Sequence, residues 1–287
     1  MTNPNNLPTT DDEWTIHSIN IHGYFFEKFC ENVIANKPIW KVLQTNLPVA
    51  HNQTASNSRP RESKLDILAE YWVDTSKIKL LVECKKNNPE FVDWIFFPNK
   101  KREQSIVYAE EARETRGSYQ TNTDKKDRTK TSNTAVTEAA EQVALAEKSV
   151  RTDDFYNFHS VAEYDNKAEY YYNSELYGDS LPLPTINYIP VVVTTANLRV
   201  CDFNFQDIDP KTGEIPVNKT TLINVPYLLF EFAIPRYLQP ELGISEDRAK
   251  YVKMNIYEDT FMRLPVYVVN SQHFDEFLTK LPGWVLG

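Results

Sequence analysis

Apolar and polar residues follow two different periods along the chain, and these periods predict where helices and strands lie. Residues 14–35 repeat apolar side chains at roughly helical spacing and are followed by Pro38, so we predict a helix there. Residues 135–150 are rich in Ala and Glu and predict a second helix, and 273–281 predict a closing one. Strands are predicted over 40–50, 186–195, 198–205, 225–234 and 265–270.

Two apolar-rich runs close together in the sequence predict a β-hairpin. The runs are 64–73 and 77–84, and the polar residues 74–76 between them are typical of a turn. We place Val73 opposite Ile78, which fixes the pairing of all other residues of the two strands.

In this predicted register Asp66 lies opposite Lys85, and Leu68 lies opposite Glu83. Side chains of a strand alternate between the two faces of a sheet. Asp66, Glu83 and Lys85 therefore point to one side, while Cys84 points to the other side and into the core. The two carboxylates become diagonal neighbours, roughly 7–8 Å apart at the backbone, and can lean onto one ion.

The remaining segments have weaker patterns. Residues 1–13 are polar and predict a disordered arm, and 117–132 predict a flexible loop. Residues 100–116 are a candidate helix, and 153–183 predict a Tyr-rich, irregular insertion. The order of helices and strands predicts a single α/β domain over 14–287, with these segments as insertions.

Composition narrows the class of protein. The 287 residues are enough for a sizeable hydrophobic core, and 7 Gly against 17 Pro count against a Gly-rich nucleotide-binding architecture. The net charge of −9 counts against a protein that coats DNA nonspecifically. The three cysteines are isolated, and neither a signal peptide nor a membrane-spanning run is apparent, so we expect a soluble, cytoplasmic protein.

The acidic and basic residues of the hairpin have the chemistry that phosphodiester hydrolysis needs. Mg²⁺ prefers oxygen ligands and usually takes one or two carboxylates, keeping water and substrate phosphate as its other ligands. Such an ion lowers the pKa of bound water and stabilises charge on phosphoryl oxygens. A lysine beside it can orient or deprotonate the attacking water, or stabilise the transition state.

Leu65–Asp66, followed by Glu83–Cys84–Lys85 at the end of an apolar strand, resembles the PD-(D/E)XK nuclease superfamily, which includes restriction endonucleases. Leu65 stands where the name motif has proline. The resemblance implies a restriction-endonuclease-like core, in which helices flank a mixed central β-sheet. It also implies that Asp66 and Glu83 bind Mg²⁺, or Mn²⁺ in its place, and that Lys85 is the catalytic lysine.

The same resemblance suggests further site residues. Many members carry a glutamate on the first helix, which Glu27 matches, with Glu31 as the second choice. Some carry a glutamine on the helix after the motif strand, which Gln142 matches. The backbone carbonyl of Cys84 is a candidate metal ligand beside the two carboxylates. For Glu27 and Gln142 an ordinary place on a helix surface remains open.

Several functions are compatible with this sequence. A cross-strand salt bridge on an exposed sheet is the simplest alternative for the hairpin charges, but the apolar flanks predict central strands, where unpaired charge is costly. The leading hypothesis is a Mg²⁺-dependent DNA endonuclease of restriction or defence type, which needs two sites, as in a homodimer, to cut both strands. The alternatives are an inactive nuclease-like module that binds nucleic acid or acts as a scaffold, and a protein-interaction domain that uses the Tyr-rich insertion.

Overall fold

The computed structural model describes residues 8–49, 63–73, 76–87, 93–97, 113–116, 135–164, 185–239, 241–242 and 263–286. Its four α-helices within these ranges are α1 (Asp11–Ile21), α2 (Tyr24–Ala35), α3 (Ala135–Tyr164) and α4 (Phe274–Leu286). Its strands are β1 (Lys41–Val49), β2 (Ser63–Val73), β3 (Ser76–Lys85), β4 (Asp93–Phe96), β5 (Arg113–Arg116), β6 (Thr185–Thr194), β7 (Asn197–Phe203), β8 (Thr220–Val225), β9 (Tyr227–Ala233) and β10 (Arg263–Asn270).

The main sheet has seven strands in the order β1-β2-β3-β6-β10-β9-β5, and it is mixed. Strand β2 is antiparallel to both β1 and β3, whereas β3 pairs with β6, and β6 with β10, in parallel. A smaller sheet has the order β4-β7-β8. The α/β class with a mixed sheet flanked by helices is confirmed, and the single domain over 14–287 stays a prediction.

Helices cover both faces of the main sheet, so the hydrophobic core has two parts. One face packs against α3 and the smaller sheet, in a cluster that includes Leu81, Val143 and Trp94. The other face packs against α2 and α4, in a cluster that includes Val82, Cys30 and Phe277. Strands β2 and β3 are therefore buried along most of their length, as near-continuous apolar strands between two layers are.

A polar cluster joins α3 to the main sheet in the first half of β3, away from Lys85. The ammonium of Lys79 pairs with Asp154, and the hydroxyl of Tyr188 donates a hydrogen bond to the same carboxylate at 2.7 Å. The guanidinium of Arg151 stacks on the Tyr188 ring at 4.1 Å from its centre. These contacts give buried polar groups the partners that burial requires.

The N-terminal helices differ from the prediction in two ways. Helix α1 begins at Asp11, so residues 11–13 are helical and not part of a disordered arm, because Thr10 and Glu13 form a capping box. The predicted single helix over 14–35 is divided at Gly23, whose φ of 82° lies in the left-handed region that glycine tolerates.

Two further predictions are wrong within the described residues. Residues 113–116 form strand β5, which pairs with β9, and are not part of a helix. Residues 153–164 continue α3 and are not irregular. The predicted loop at 117–132 and residues 165–183 of the Tyr-rich insertion lie outside the described residues. Among the described residues, no helix combines the length and the hydropathy that crossing a membrane requires.

Candidate active site

The β2–β3 hairpin sets Asp66 beside Glu83. The observed register pairs Ile67 with Val82 and Leu68 with Leu81, so the same register carried one step further places Asp66 opposite Glu83. The predicted register, with Leu68 opposite Glu83, is wrong by two residues. An error of two residues keeps every side chain on its predicted face, whereas an error of one would reverse all of them.

Both carboxylates are removed from solvent. Asp66 is 5% exposed and Glu83 is 3% exposed. The backbone N–H of Cys84 donates a hydrogen bond to Oδ2 of Asp66 at 2.8 Å, which fixes this side chain against the neighbouring strand. The second carboxylate oxygen of Glu83, Oε2, is buried and has no hydrogen-bond partner among the described residues. A buried acceptor of this kind is unusual unless it has a ligand or a proton.

Burial changes the acidity of both groups. Desolvation is the largest cause that raises the pKa of Asp66, to about 6, and the charge of Glu27 adds to the rise. The hydrogen bond from the Cys84 N–H acts in the opposite direction and lowers this pKa. Desolvation raises the pKa of Glu83 to about 8, and the charge of Asp66 raises it further, while Lys85 lowers it. Two neighbouring acids whose pKa values are raised by burial gain from a divalent cation, which would stabilise their ionised forms.

Lys85 lies between Glu83 and helix α3. Its Nζ is 2.9 Å from Oε1 of Glu83 and donates a hydrogen bond to Oε1 of Gln142 at 2.8 Å. The structure therefore brings Gln142, which the sequence suggested only by analogy, into direct contact with the lysine of the motif. One ammonium with two fixed partners has a defined position beside the carboxylates.

Glu27 approaches the site from the other layer of the fold. It lies in the first turn of α2, and its Oε2 is 3.9 Å from Nζ of Lys64. The same ammonium is 3.9 Å from Oδ1 of Asp66. Glu31, the second choice for the helix glutamate, forms an ion pair with Lys28 at 2.6 Å on the helix surface instead.

Sequence reasoning missed Lys64 and Asn46. Nζ of Lys64 donates a hydrogen bond to Oδ1 of Asn46 at 2.5 Å, so β1 also contributes to the site. A signal for Lys64 was available, because a lysine two positions before Asp66 on a strand is expected on the same face. Asn46 gave no comparable signal, because the β1–β2 pairing that brings it close is a tertiary contact.

Cys84 faces away from the site, as predicted. Its thiol lies in the core on the α2 side, in the same cluster as Cys30. A hydrogen bond with Cys30, together with burial, raises the pKa of the Cys84 thiol well above its usual range, so it stays protonated. The role of the Cys84 backbone carbonyl as a metal ligand stays a prediction.

The residues present fit a metal ion that takes two carboxylates and no more. Among the residues the structure describes, no three His, Cys, Asp or Glu side chains are close enough to share one ion. Asp66 and Glu83 are a pair on adjacent strands, and Glu83 offers a buried oxygen that has no described hydrogen-bond partner. One or two carboxylates are what Mg²⁺ usually takes from a protein.

Comparison with known proteins gives no relative. No family model matches this chain, and neither does any curated protein or solved structure. The resemblance to the nuclease superfamily therefore depends on the hairpin residues alone. Chemically, the arrangement combines a pair of buried acids with a fixed ammonium, which can hold a divalent cation and orient a water molecule beside it.

Proposed function

We propose that this protein is a Mg²⁺-dependent nuclease that hydrolyses phosphodiester bonds, and specifically a DNA endonuclease of restriction or defence type. One observation carries the proposal: Asp66 and Glu83 are buried on adjacent strands, with a Glu83 oxygen that has no described partner and the Lys85 ammonium 2.9 Å from the other oxygen. The choice of DNA and of a homodimer that cuts both strands rests on the superfamily resemblance.

Each residue has a role that follows from its contacts. Asp66 and Glu83 would hold the cation, which, when bound, supplies an acidified water molecule and stabilises charge on the phosphoryl oxygens. The Cys84 N–H holds the Asp66 carboxylate in place. Lys85, held by Glu83 and Gln142, orients the attacking water or stabilises negative charge on the phosphorus centre.

Cleavage assays with matched variants test this function. Plasmid and single-stranded DNA are incubated with Mg²⁺ and the wild type, Asp66→Asn, Glu83→Gln or Lys85→Met. Glu70→Gln is the control, because Glu70 is a buried acid on β2 that pairs with Lys77 away from the motif. We expect each site variant to lose about 100-fold or more in rate, and Glu70→Gln to retain activity. Equal rates in all five proteins would remove these residues from the mechanism.

An inactive nuclease-like module that binds nucleic acid or acts as a scaffold is the second candidate. The net charge of −9 mildly favours the scaffold role, because affinity for nucleic acid comes mainly from Lys and Arg. Calorimetric titration with Mn²⁺ separates the two. The nuclease binds Mn²⁺ through Asp66 and Glu83, so the affinity is lost in Asp66→Asn. A binding module has no specific site, and its Mn²⁺ titration is the same in the wild type and in the variant.

A further inference from the structure

We propose that Lys64 competes with the divalent cation for Asp66, and that, once the cation is bound, it contacts a backbone phosphate of the nucleic-acid substrate. The inference rests on the proposed function, and it names a substrate-binding residue that the motif does not include. Lys64 precedes Asp66 by two positions on β2, and its Nζ lies 3.9 Å from Oδ1 of Asp66.

The ion pairs of Lys64 are weak enough for its ammonium to leave the two carboxylates. Its distances to Glu27 and to Asp66 are both 3.9 Å, too long for hydrogen bonds, so the attraction is purely electrostatic. Its side chain is 45% exposed, and ion pairs so open to water are weak. Its one hydrogen bond in the described part of the chain is to the Asn46 amide oxygen.

Asn46 has an unusual backbone for a strand residue. Its φ of 53° makes it the one non-glycine residue with a positive φ in the described ranges. Asparagine tolerates this region better than most residues, but it is still uncommon. The β1–β2 register pairs Thr45 with Ile67 and Leu47 with Leu65, which sets Asn46 across from Asp66. An uncommon conformation beside a cluster of charges is a mark of a functional site.

The net charge of the site, with and without a cation, indicates what Lys64 contributes to substrate binding. With all groups ionised, Glu27, Asp66 and Glu83 contribute −3 and Lys64 and Lys85 contribute +2, so the site carries −1. A divalent cation changes this to +1. A phosphodiester, with one negative charge, then makes the site neutral, whereas a phosphate monoester with nearly two would leave it negative.

The same balance predicts opposite effects on metal and substrate when Lys64 is removed. Without Lys64 the empty site carries −2, so it attracts a divalent cation more strongly. With the cation bound it carries no net charge, so it attracts a phosphodiester less strongly. A lysine that only stabilised the fold would not change the two affinities in opposite directions.

The test compares Lys64→Met and Lys64→Arg with the wild type, with Lys41→Met as the matched control. Lys41 is also a strand lysine 3.9 Å from a carboxylate, that of Glu70, and it is remote from the motif. Mn²⁺ affinity is measured by calorimetry on the free proteins, and KM and kcat are measured on a DNA oligonucleotide over a range of NaCl concentrations. Thermal melting confirms that each variant is folded.

We expect Lys64→Met to bind Mn²⁺ about five-fold more tightly and to raise KM about ten-fold, with kcat changed less than about three-fold. The slope of log KM against log salt concentration falls by about 0.9, the value for one lost phosphate contact. Lys64→Arg keeps a KM close to that of the wild type, and Lys41→Met changes neither quantity.

Other outcomes overturn the proposal in distinguishable ways. If Lys64→Met binds Mn²⁺ no more tightly than the wild type, Lys64 does not compete with the cation. If KM and its salt dependence are unchanged, Lys64 does not contact phosphate. If the wild type binds Mn²⁺ but cleaves no DNA, the nuclease function fails, and the Mn²⁺ comparison alone decides the competition. If the wild type neither binds Mn²⁺ nor cleaves, both proposals fail.

Discussion

Lys85 donates a hydrogen bond to Oε1 of Gln142 across 2.8 Å, although 57 residues separate the two in the chain. The partners of this ammonium come from two layers of the fold, with Glu83 on the sheet and Gln142 on helix α3. An ammonium held on two sides needs little reorganisation when charge develops next to it, which is the arrangement that electrostatic catalysis favours.

Gln142 is therefore expected to act by positioning Lys85. Gln142→Leu should lower kcat about ten-fold with little change in KM, because the lysine loses its second partner but the carboxylates remain. Glu138→Gln, an exposed change on the same helix, is the control. Unchanged kcat in Gln142→Leu would limit this residue to packing.

Burial of Glu83 makes the free protein less stable as pH rises. The folded-state pKa, about 8, lies above the ordinary value of 4.5, so the folded state binds more protons than the unfolded state between these values. Stability is greatest below pH 4.5 for this group and falls as pH rises to about 8. The contribution lost is on the order of 5 kcal/mol, because each pKa unit corresponds to about 1.4 kcal/mol.

Urea denaturation without divalent ions, at pH 5 and pH 8.5, measures this effect. Glu83→Gln cannot ionise, so its stability should fall less than that of the wild type over this interval. Glu70→Gln serves again as the control, because Glu70 is paired with Lys77. Parallel losses in wild type and Glu83→Gln would contradict the assignment.

Mn²⁺ affinity of the wild type should rise with pH until about pH 8. Both carboxyls must be ionised to bind a cation, and the pKa values of Asp66 and Glu83 are raised to about 6 and about 8. Between pH 6 and pH 8 binding should release about one proton and tighten about ten-fold per pH unit. Calorimetry in buffers of different ionisation enthalpy counts the protons. An affinity independent of pH from 5.5 to 8.5 would place the ion elsewhere.

Helix α4 is expected to contribute a large part of the stability through Phe277. This side chain is fully buried and contacts the rings of Tyr227 and Tyr267, whose centres lie 5.8 and 5.3 Å away. Phe277→Ala should lower the free energy of unfolding by about 3–5 kcal/mol, because the cavity adds to the lost burial. Phe205→Ala, at a position 63% exposed, should change it by less than about 1 kcal/mol in the same urea titration.

Much of the site's placement could be predicted because alternation along a strand is a local rule. The rule put Lys85 on the α3 side of β3 and Cys84 on the α2 side, as observed, even though the observed pairing joins Val73 to Ser76. The capping box of Thr10 and Glu13 was likewise readable in the sequence as a helix start, and it was overlooked.

Other features depend on tertiary contacts that no local pattern encodes. The contact of Lys64 with Glu27 joins a strand to a helix in another layer. Strand β5 is short and polar, and it is a strand because its backbone pairs with the edge of β9. The aromatic residues after Asp153 have only modest helix propensity, yet they continue α3 to Tyr164.

Parallel pairing of β3 with β6 joins Lys85 to Thr194, which are 109 positions apart (194 − 85), whereas Asp66 and Cys84 are hydrogen-bonded at a separation of only 18. Local hairpins close within microseconds, but contacts across so long a loop form late in folding. We therefore expect the two acids to meet early, while both are still hydrated, and to lose their water when β6 docks. The cost of dehydrating them would then fall on that later step, and we expect the refolding rate to depend on whether these carboxyls carry protons when it occurs.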